Sequence, residues 1–305
     1  MNQSPSLTHR YEVTHRTEYC YDADVTSSFA RARLRPRPTP TQQVLRHEVV
    51  VSPTPDISDE HVDFFGNYSQ YIEIHTPHRI LSVGQTSVVD VAWPAVDLSA
   101  LDLTVADAAD RLARDPSLDP TERATYLLAS PVIELTDEVR AFASTMVDAR
   151  CPVGEAIESV YHSIHERFEY SLGVTSVKTT LPEVIGARAG VCQDFAHLAV
   201  ACFRAVGLPA RYVSGYIETS APGEPAVLTG ADATHAWASV LVPDMGWVDL
   251  DPTNDHLADS RYIVTAWGRD FRDVSPLKGV IFSSGHDSTL DVAVEVRRLP
   301  DSADA

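Results

Sequence analysis

Cys192, His235 and the carboxylates of Asp249 and Asp251 stand in an order that could support nucleophilic chemistry. A thiolate can attack a carbonyl carbon, an imidazole can take the thiol proton, and a carboxylate can orient the imidazole. Spacing puts Cys192 in a favourable place. From it, apolar residues recur at Phe195, Leu198, Ala199, Cys202, Phe203 and Val206, the period of a helix with a buried face. Gly207-Leu208-Pro209 ends that helix, and Gly190 permits a tight entry to it. Cys192 therefore lies in the first helical turn. Unpaired N–H groups and the positive end of the helix dipole favour a thiolate there. Its own N–H is placed to help hold an oxyanion. Cys202 falls on the apolar stripe and reads as inert packing, while Cys20 and Cys151 have no comparable setting. Asp194 suits first-turn dipole pairing better than catalysis, and His197, off the Cys192 face, reads as structural.

The other groups fall on a hairpin. Residues 233–242 alternate as a strand, with His235, Trp237, Ser239 and Leu241 on one face. Pro243-Asp244-Met245-Gly246 forms a turn, and residues 247–251 form the returning strand. Asp249 and Asp251 share a face, so parity alone leaves both as candidates to orient the histidine. Singly, each residue also has a plain structural reading: a small buried thiol, a core histidine, a turn-forming aspartate before Pro252. Together, a cysteine at a helix start, a histidine on a strand and an aspartate on the next strand form the architecture of thiol acyl-transfer enzymes.

Gly190-Val191-Cys192-Gln193-Asp194-Phe195-Ala196-His197, residues 207–216, Thr234-His235-Ala236-Trp237 and residues 246–254 together resemble the bacterial transglutaminase-like superfamily. Trp267-Gly268-Arg269-Asp270, with residues 273–276 and Gly279-Val280, resembles that family's C-terminal signature. Residues 9–93 are similar to the β-rich region that often precedes the catalytic domain in bacteria. The resemblance implies an α+β fold. A papain-like transglutaminase core, with its nucleophile helix packed on an antiparallel sheet, would follow an all-β sandwich-like domain. By matching positions it implies the triad Cys192, His235 and Asp251, with Asp251 preferred to Asp249 for its Asp-Pro-Thr-Asn context. The implied activity is thiol-dependent acyl transfer on protein or peptide carboxamides through a thioester. A cysteine protease or amidase using water as acceptor, and a catalytically idle binding module, are the alternatives. Trp237, on the His235 face, and Gln193, beside the cysteine, are the expected pocket residues. No cofactor is implied. No carboxylate cluster of EF-hand type is present, and Cys192, His235 and Asp251 as metal ligands is the weakest reading.

Positioning these groups falls to the rest of the chain. Residues 11–15, 29–34, 45–52, 69–76 and 86–92 read as short strands, separated by turn-prone segments such as Pro36-Arg37-Pro38-Thr39-Pro40. Such spacing suggests an antiparallel sandwich or barrel. Arg31, Arg33, Arg35 and Arg37 recur at period two and read as a solvated strand face. Helical spacing appears at 105–113, 138–147 and 153–168, and Thr180-Leu181-Pro182-Glu183 is a capping box. The expected division is a β-rich domain at 1–94, a linker at 95–120 and a catalytic domain at 121–300. Residues 218–231 precede the histidine strand as a loop, either a lid over the cleft or an exposed connection.

Composition sets the outer bounds. The chain has 305 residues, 43 acidic and 24 basic, for a net charge of −19. An apolar fraction of 44% can build sizeable cores and is too high for a disordered chain. The acid excess argues against nucleic-acid binding and against docking on an anionic membrane. Four cysteines without a C-x-x-C pair make neither a zinc ribbon nor a disulfide framework. Residues 1–11 lack an apolar signal core, and no run of eighteen apolar residues occurs. The expectation is a cytoplasmic protein that acts on a protein or peptide substrate. Lys178 and Lys278 are the only lysines, a pattern that fits codon bias in a GC-rich genome. Residues 1–94 hold 8 basic and 11 acidic residues, so 16 of the 19 surplus negative charges lie beyond them. That gives a cationic or amine-bearing partner slight favour.

Overall fold

Alternating burial runs along residues 9 to 32 and makes one long strand where the sequence suggests two short ones. The computed structural model describes residues 8–219, 228–231 and 233–300, so most of the loop anticipated at 218–231 lies outside the described residues. The first strands are β1 (His9–Ala32), β2 (Gln42–Ser52), β3 (Ile57–Val62), β4 (Tyr68–Ile74) and β5 (His78–Val91). Helices α1 (Val105–Arg114), α2 (Pro120–Leu127), α3 (Asp137–Met146) and α4 (Val153–Arg167) follow. Next come β6 (Glu169–Tyr170), α5 (Leu181–Ala187), β7 (Ala189–Gly190) and α6 (Cys192–Ala205). The chain continues as β8 (Ala210–Ile217), β9 (His235–Val242), β10 (Gly246–Asp251), β11 (His256–Leu257) and β12 (Tyr262–Gly268). It finishes with α7 (Phe271–Val274), β13 (Leu277–Ser283) and β14 (Ser288–Arg298).

The long first strand serves two arrays. Its first half lies between β5 and β14, and its second half lies between β4 and β13, all antiparallel. The pairing with β5 shifts register between Cys20 and Val25, where one half gives way to the other. Ala30, Leu34, Ile72, Ile74, Leu81 and Val83 form one apolar cluster between the arrays, which gives the sandwich-like arrangement. The division at 121–300 is corrected here. Residues 277–298 belong to the first sheet, because β13 and β14 find their partners along β1. Composition carries no sign of a partner so distant in sequence. Residues 95–120 are likewise not a free linker. Leu101, Val105, Ala108 and Leu112 are buried in the same core as α4 and α6.

The second sheet has the order β11-β10-β9-β8-β12 and is antiparallel throughout. Helix α6 packs across it, with Phe195, Leu198, Ala199, Cys202 and Phe203 in the core alongside Ala238 and Val240. Two amide side chains from the first sheet cover the outer edge of β12. Gln42 accepts from Val264 N–H at 2.8 Å and donates to Val264 O at 2.7 Å. Asn67 accepts from Trp267 N–H at 3.0 Å and donates to Trp267 O at 2.9 Å. Each stands where a neighbouring strand's peptide group would, so the edge is closed to further pairing.

The arginine row is a second correction. Arg31 is exposed as expected, but Arg33 is buried against Asp63 at 3.1 Å and Arg37 lies 3.3 Å over the ring of Trp267. Arg211 stacks on the same indole at 3.8 Å and on Trp247 at 4.2 Å. A planar guanidinium can be buried where it stacks on aromatic faces, so Arg37, lying over Trp267, ties the region after β1 to the second sheet. Among the described residues, no helix is long and apolar enough to cross a membrane.

Candidate active site

Helix α6 begins at Cys192, as the periodicity predicts. Asp194 fixes its entry: one carboxylate oxygen accepts from Val191 N–H at 2.9 Å and from the Thr175 hydroxyl at 2.6 Å. A Cβ at Gly190 would come within 2.8 Å of that oxygen, which is why the residue before the turn carries no side chain. Asp194, read from the sequence as a dipole partner, caps the helix entry through its side chain, and His197, read as structural, is buried.

His235 opens β9 opposite Gly215 of β8, and Asp251 closes β10. Any side chain at 215 would strike Ile263 O at 2.1 Å and the ring of Trp237 at 2.6 Å, so only glycine lets the β12 backbone and the Trp237 ring come this close. His235 Nε2 donates to Asp251 Oδ2 at 2.7 Å, with both side chains fully buried. The same oxygen accepts from the Tyr262 hydroxyl at 2.6 Å and from Asn254 Nδ2 at 2.8 Å. Oδ1 accepts from the N–H groups of Thr253 and Asn254 at 2.8 and 3.3 Å. Burial opposes the charged imidazole, but Asp251 and Cys192 outweigh it and raise His235 to about 10. Burial likewise opposes the charged carboxylate, yet His235, Asn254 and Tyr262 hold Asp251 well below the ordinary range.

Hairpin register separates the two aspartates. Asp249 stands opposite Ser239 and takes hydrogen bonds from Ser239 Oγ and from Trp237 Nε1, the latter at 2.8 Å. It holds the sheet, whereas Asp251 holds the histidine. Trp237 does not line a pocket as expected. Its ring is fully buried, 6.3 Å from His235 and nearly parallel to it, and it packs edge-on against Tyr262 at 5.2 Å. It props the imidazole from beneath. Tyr262 is a site residue that sequence reasoning missed, because its strand lies outside the hairpin and no local spacing links it to Asp251.

Cys192 and Gln193 open onto a cavity of about 350 Å³. Tyr170, Tyr212, His235 and Phe271 line one side; Tyr19, Leu290 and Val292 of the first sheet line the other. The cleft is therefore built by both sheets. Among the described residues lining it there is no Asp, Glu, Lys or Arg. The surplus acidity of the chain lies elsewhere.

Iodoacetamide should label Cys192 faster than Cys202. Cys202 is fully enclosed, and burial pushes its thiol up to about 12, so it stays protonated and unreactive at neutral pH. Peptide mapping by mass spectrometry checks this; equal labelling of the two would remove the case for an activated thiol at 192.

Residues 11–90 match the bacterial transglutaminase-like N-terminal region, and residues 140–252 match the transglutaminase-like superfamily. An uncharacterized protein of Mycobacterium tuberculosis is 42% identical over 306 residues, spanning 98% of this chain and 96% of the relative. A protein-glutamine gamma-glutamyltransferase of Pseudomonas aeruginosa is 29% identical over 145 residues, 46% of this chain and 21% of that protein. A crystal structure from Cytophaga hutchinsonii, described as a cysteine protease candidate, has the same fold. It matches with a TM-score of 0.79 at 21% identity, covering 98% of this chain and 93% of the other.

Proposed function

This chain belongs to the transglutaminase-like superfamily, and from that premise we propose that it transfers acyl groups from protein or peptide carboxamides, with Cys192, His235 and Asp251 as its triad. The observation that carries the reading is the imidazole of His235, bonded at Nε2 to a buried carboxylate and lining the same cavity as the Cys192 thiol.

His235 takes the thiol proton, and Asp251 stabilises the imidazolium that results. The Cys192 thiolate bonds to the carboxamide carbon while the C=O π pair moves onto oxygen. That oxyanion rests on the Cys192 N–H, which has no partner within the helix. Collapse restores the C=O bond and breaks the C–N bond. The leaving amine, ammonia from a glutamine side chain, takes the proton from His235. An acceptor amine then gives a proton to His235, attacks the thioester and expels the thiolate. Water in the same role would yield an acid.

Away from His235, the apolar walls that Leu172, Phe271, Leu290 and Val292 give the cleft favour the amine acceptor, since they offer little to hold water. Both oxygens of Asp251 and Nε2 of His235 are already engaged in hydrogen bonds, which favours a triad over a set of metal ligands. Incubation with glutamine-containing peptides and a labelled primary amine tests the proposal. Incorporation of the amine with loss of ammonia is expected. Peptide fragments alone would move the assignment to a protease, and no change in any peptide would defeat it.

A further inference from the structure

Tyr212 lies on β8 opposite Ala238 and packs with Ala196, Ala236, Val274 and the side chain of Cys192. Its ring is clamped. His197 lies tilted over it at 4.7 Å, and Phe271 meets it edge-on at 6.5 Å. His197 is itself fixed, because its Nε2 accepts from Phe271 N–H at 3.1 Å. Burial, helped by Arg204, lowers the His197 imidazole to about 3, so it stays neutral and able to accept.

Only 2% of Tyr212 is exposed, yet it lines the cavity that Cys192 faces. A buried phenol ordinarily finds a hydrogen-bond partner. The other tyrosines buried as deeply have theirs: Tyr11 donates to Glu218, Tyr216 to Leu34 O, and Tyr262 to Asp251. The Tyr212 hydroxyl has none among the described residues. Burial and the neighbouring Cys192 and Asp194 push its ionisation well above the ordinary value, so the group keeps its proton and is a donor.

An oxyanion needs donors fixed in advance where the charge will form. We infer that Tyr212 is a catalytic residue whose hydroxyl donates to the carbonyl oxygen of the bound acyl group as it becomes an oxyanion, beside the N–H of Cys192. The inference rests on the acyl-transfer reading above, so its test must separate the two.

p-Nitrophenyl acetate does this. The Cys192 thiolate bonds to the acetyl carbon, the π pair moves to oxygen, and collapse expels p-nitrophenolate. That leaving group needs no proton, so the acid role of His235 is not read. Iodoacetamide alkylation of Cys192 breaks a C–I bond at a saturated carbon and forms no oxyanion. Tyr212→Phe should therefore acylate about 10²-fold more slowly, with its alkylation rate and thermal midpoint unchanged. If Tyr212→Phe is acylated as fast as the native protein, the assignment is overturned. If acylation and alkylation fall together, Tyr212 acts on the thiolate, and the assignment is again overturned. If the native protein is alkylated at Cys192 but releases no nitrophenolate, the acyl-transfer reading itself fails.

Discussion

Asp251→Ala is expected to lower turnover by about 10³- to 10⁴-fold and stability by about 3–5 kcal/mol. Catalysis suffers because the imidazole loses the group that orients it and stabilises its positive form. Stability suffers because the carboxylate answers five donors, and the His235 and Tyr262 side chains it serves are buried. The pair also fixes the pH dependence. His235 is raised in the folded state, so its contribution is full below about 6.5 and fades as pH rises through about 10. Asp251 is lowered, so its contribution is full above about 3.9 and is lost as pH falls through its folded value. The gap between native protein and variant should therefore be widest between about pH 4 and 6.5 and narrow toward pH 10. Urea unfolding at pH 6 and pH 10 measures it; an equal gap at both would show that the ion pair is not what stabilises this corner.

Cys192→Ala should take turnover to the uncatalysed background, a loss of about 10⁶-fold, because no other group at the cavity can form the thioester. Stability should change by no more than about 0.5 kcal/mol, since this side chain is only half-buried at the mouth of a cleft. A second readout reports on the proton. Cys192 helps hold His235 in its charged form, so the variant's imidazole should titrate at lower pH by NMR. Unchanged turnover would remove the thiol from the mechanism, and an unmoved titration would uncouple the two side chains.

The site was legible in the chain where local periodicity governs. The stripe from Phe195 to Val206 located α6 and placed Cys192 at its start, and the turn at 243–246 located the hairpin carrying His235. Parity could not separate Asp249 from Asp251, because both point to the histidine's face; only the pairing of Asp249 with Ser239 does. Non-local contacts stayed hidden for the same reason. Nothing near Tyr262 in sequence announces Asp251, and nothing near Tyr212 announces an empty hydroxyl beside Cys192. The arginine row shows how a correct period can yield the wrong environment. The alternation was real, but burial of Arg37 depends on Trp267, a residue on another sheet. The return of β13 and β14 to β1 was beyond any window of composition.

That return sets an order of events in synthesis. Cys192, His235 and Asp251 all leave the ribosome before Leu290 and Val292, the side chains that complete the wall of the cleft. Until β13 and β14 emerge, β1 holds β4 and β5 on one side and leaves the other edge unpaired. Pairing the first strand with the last spans almost the whole chain, a non-local closure of the kind that makes folding slow. The nascent chain thus carries Cys192, His235 and Asp251 before it carries the strand whose Leu290 and Val292 enclose the cleft.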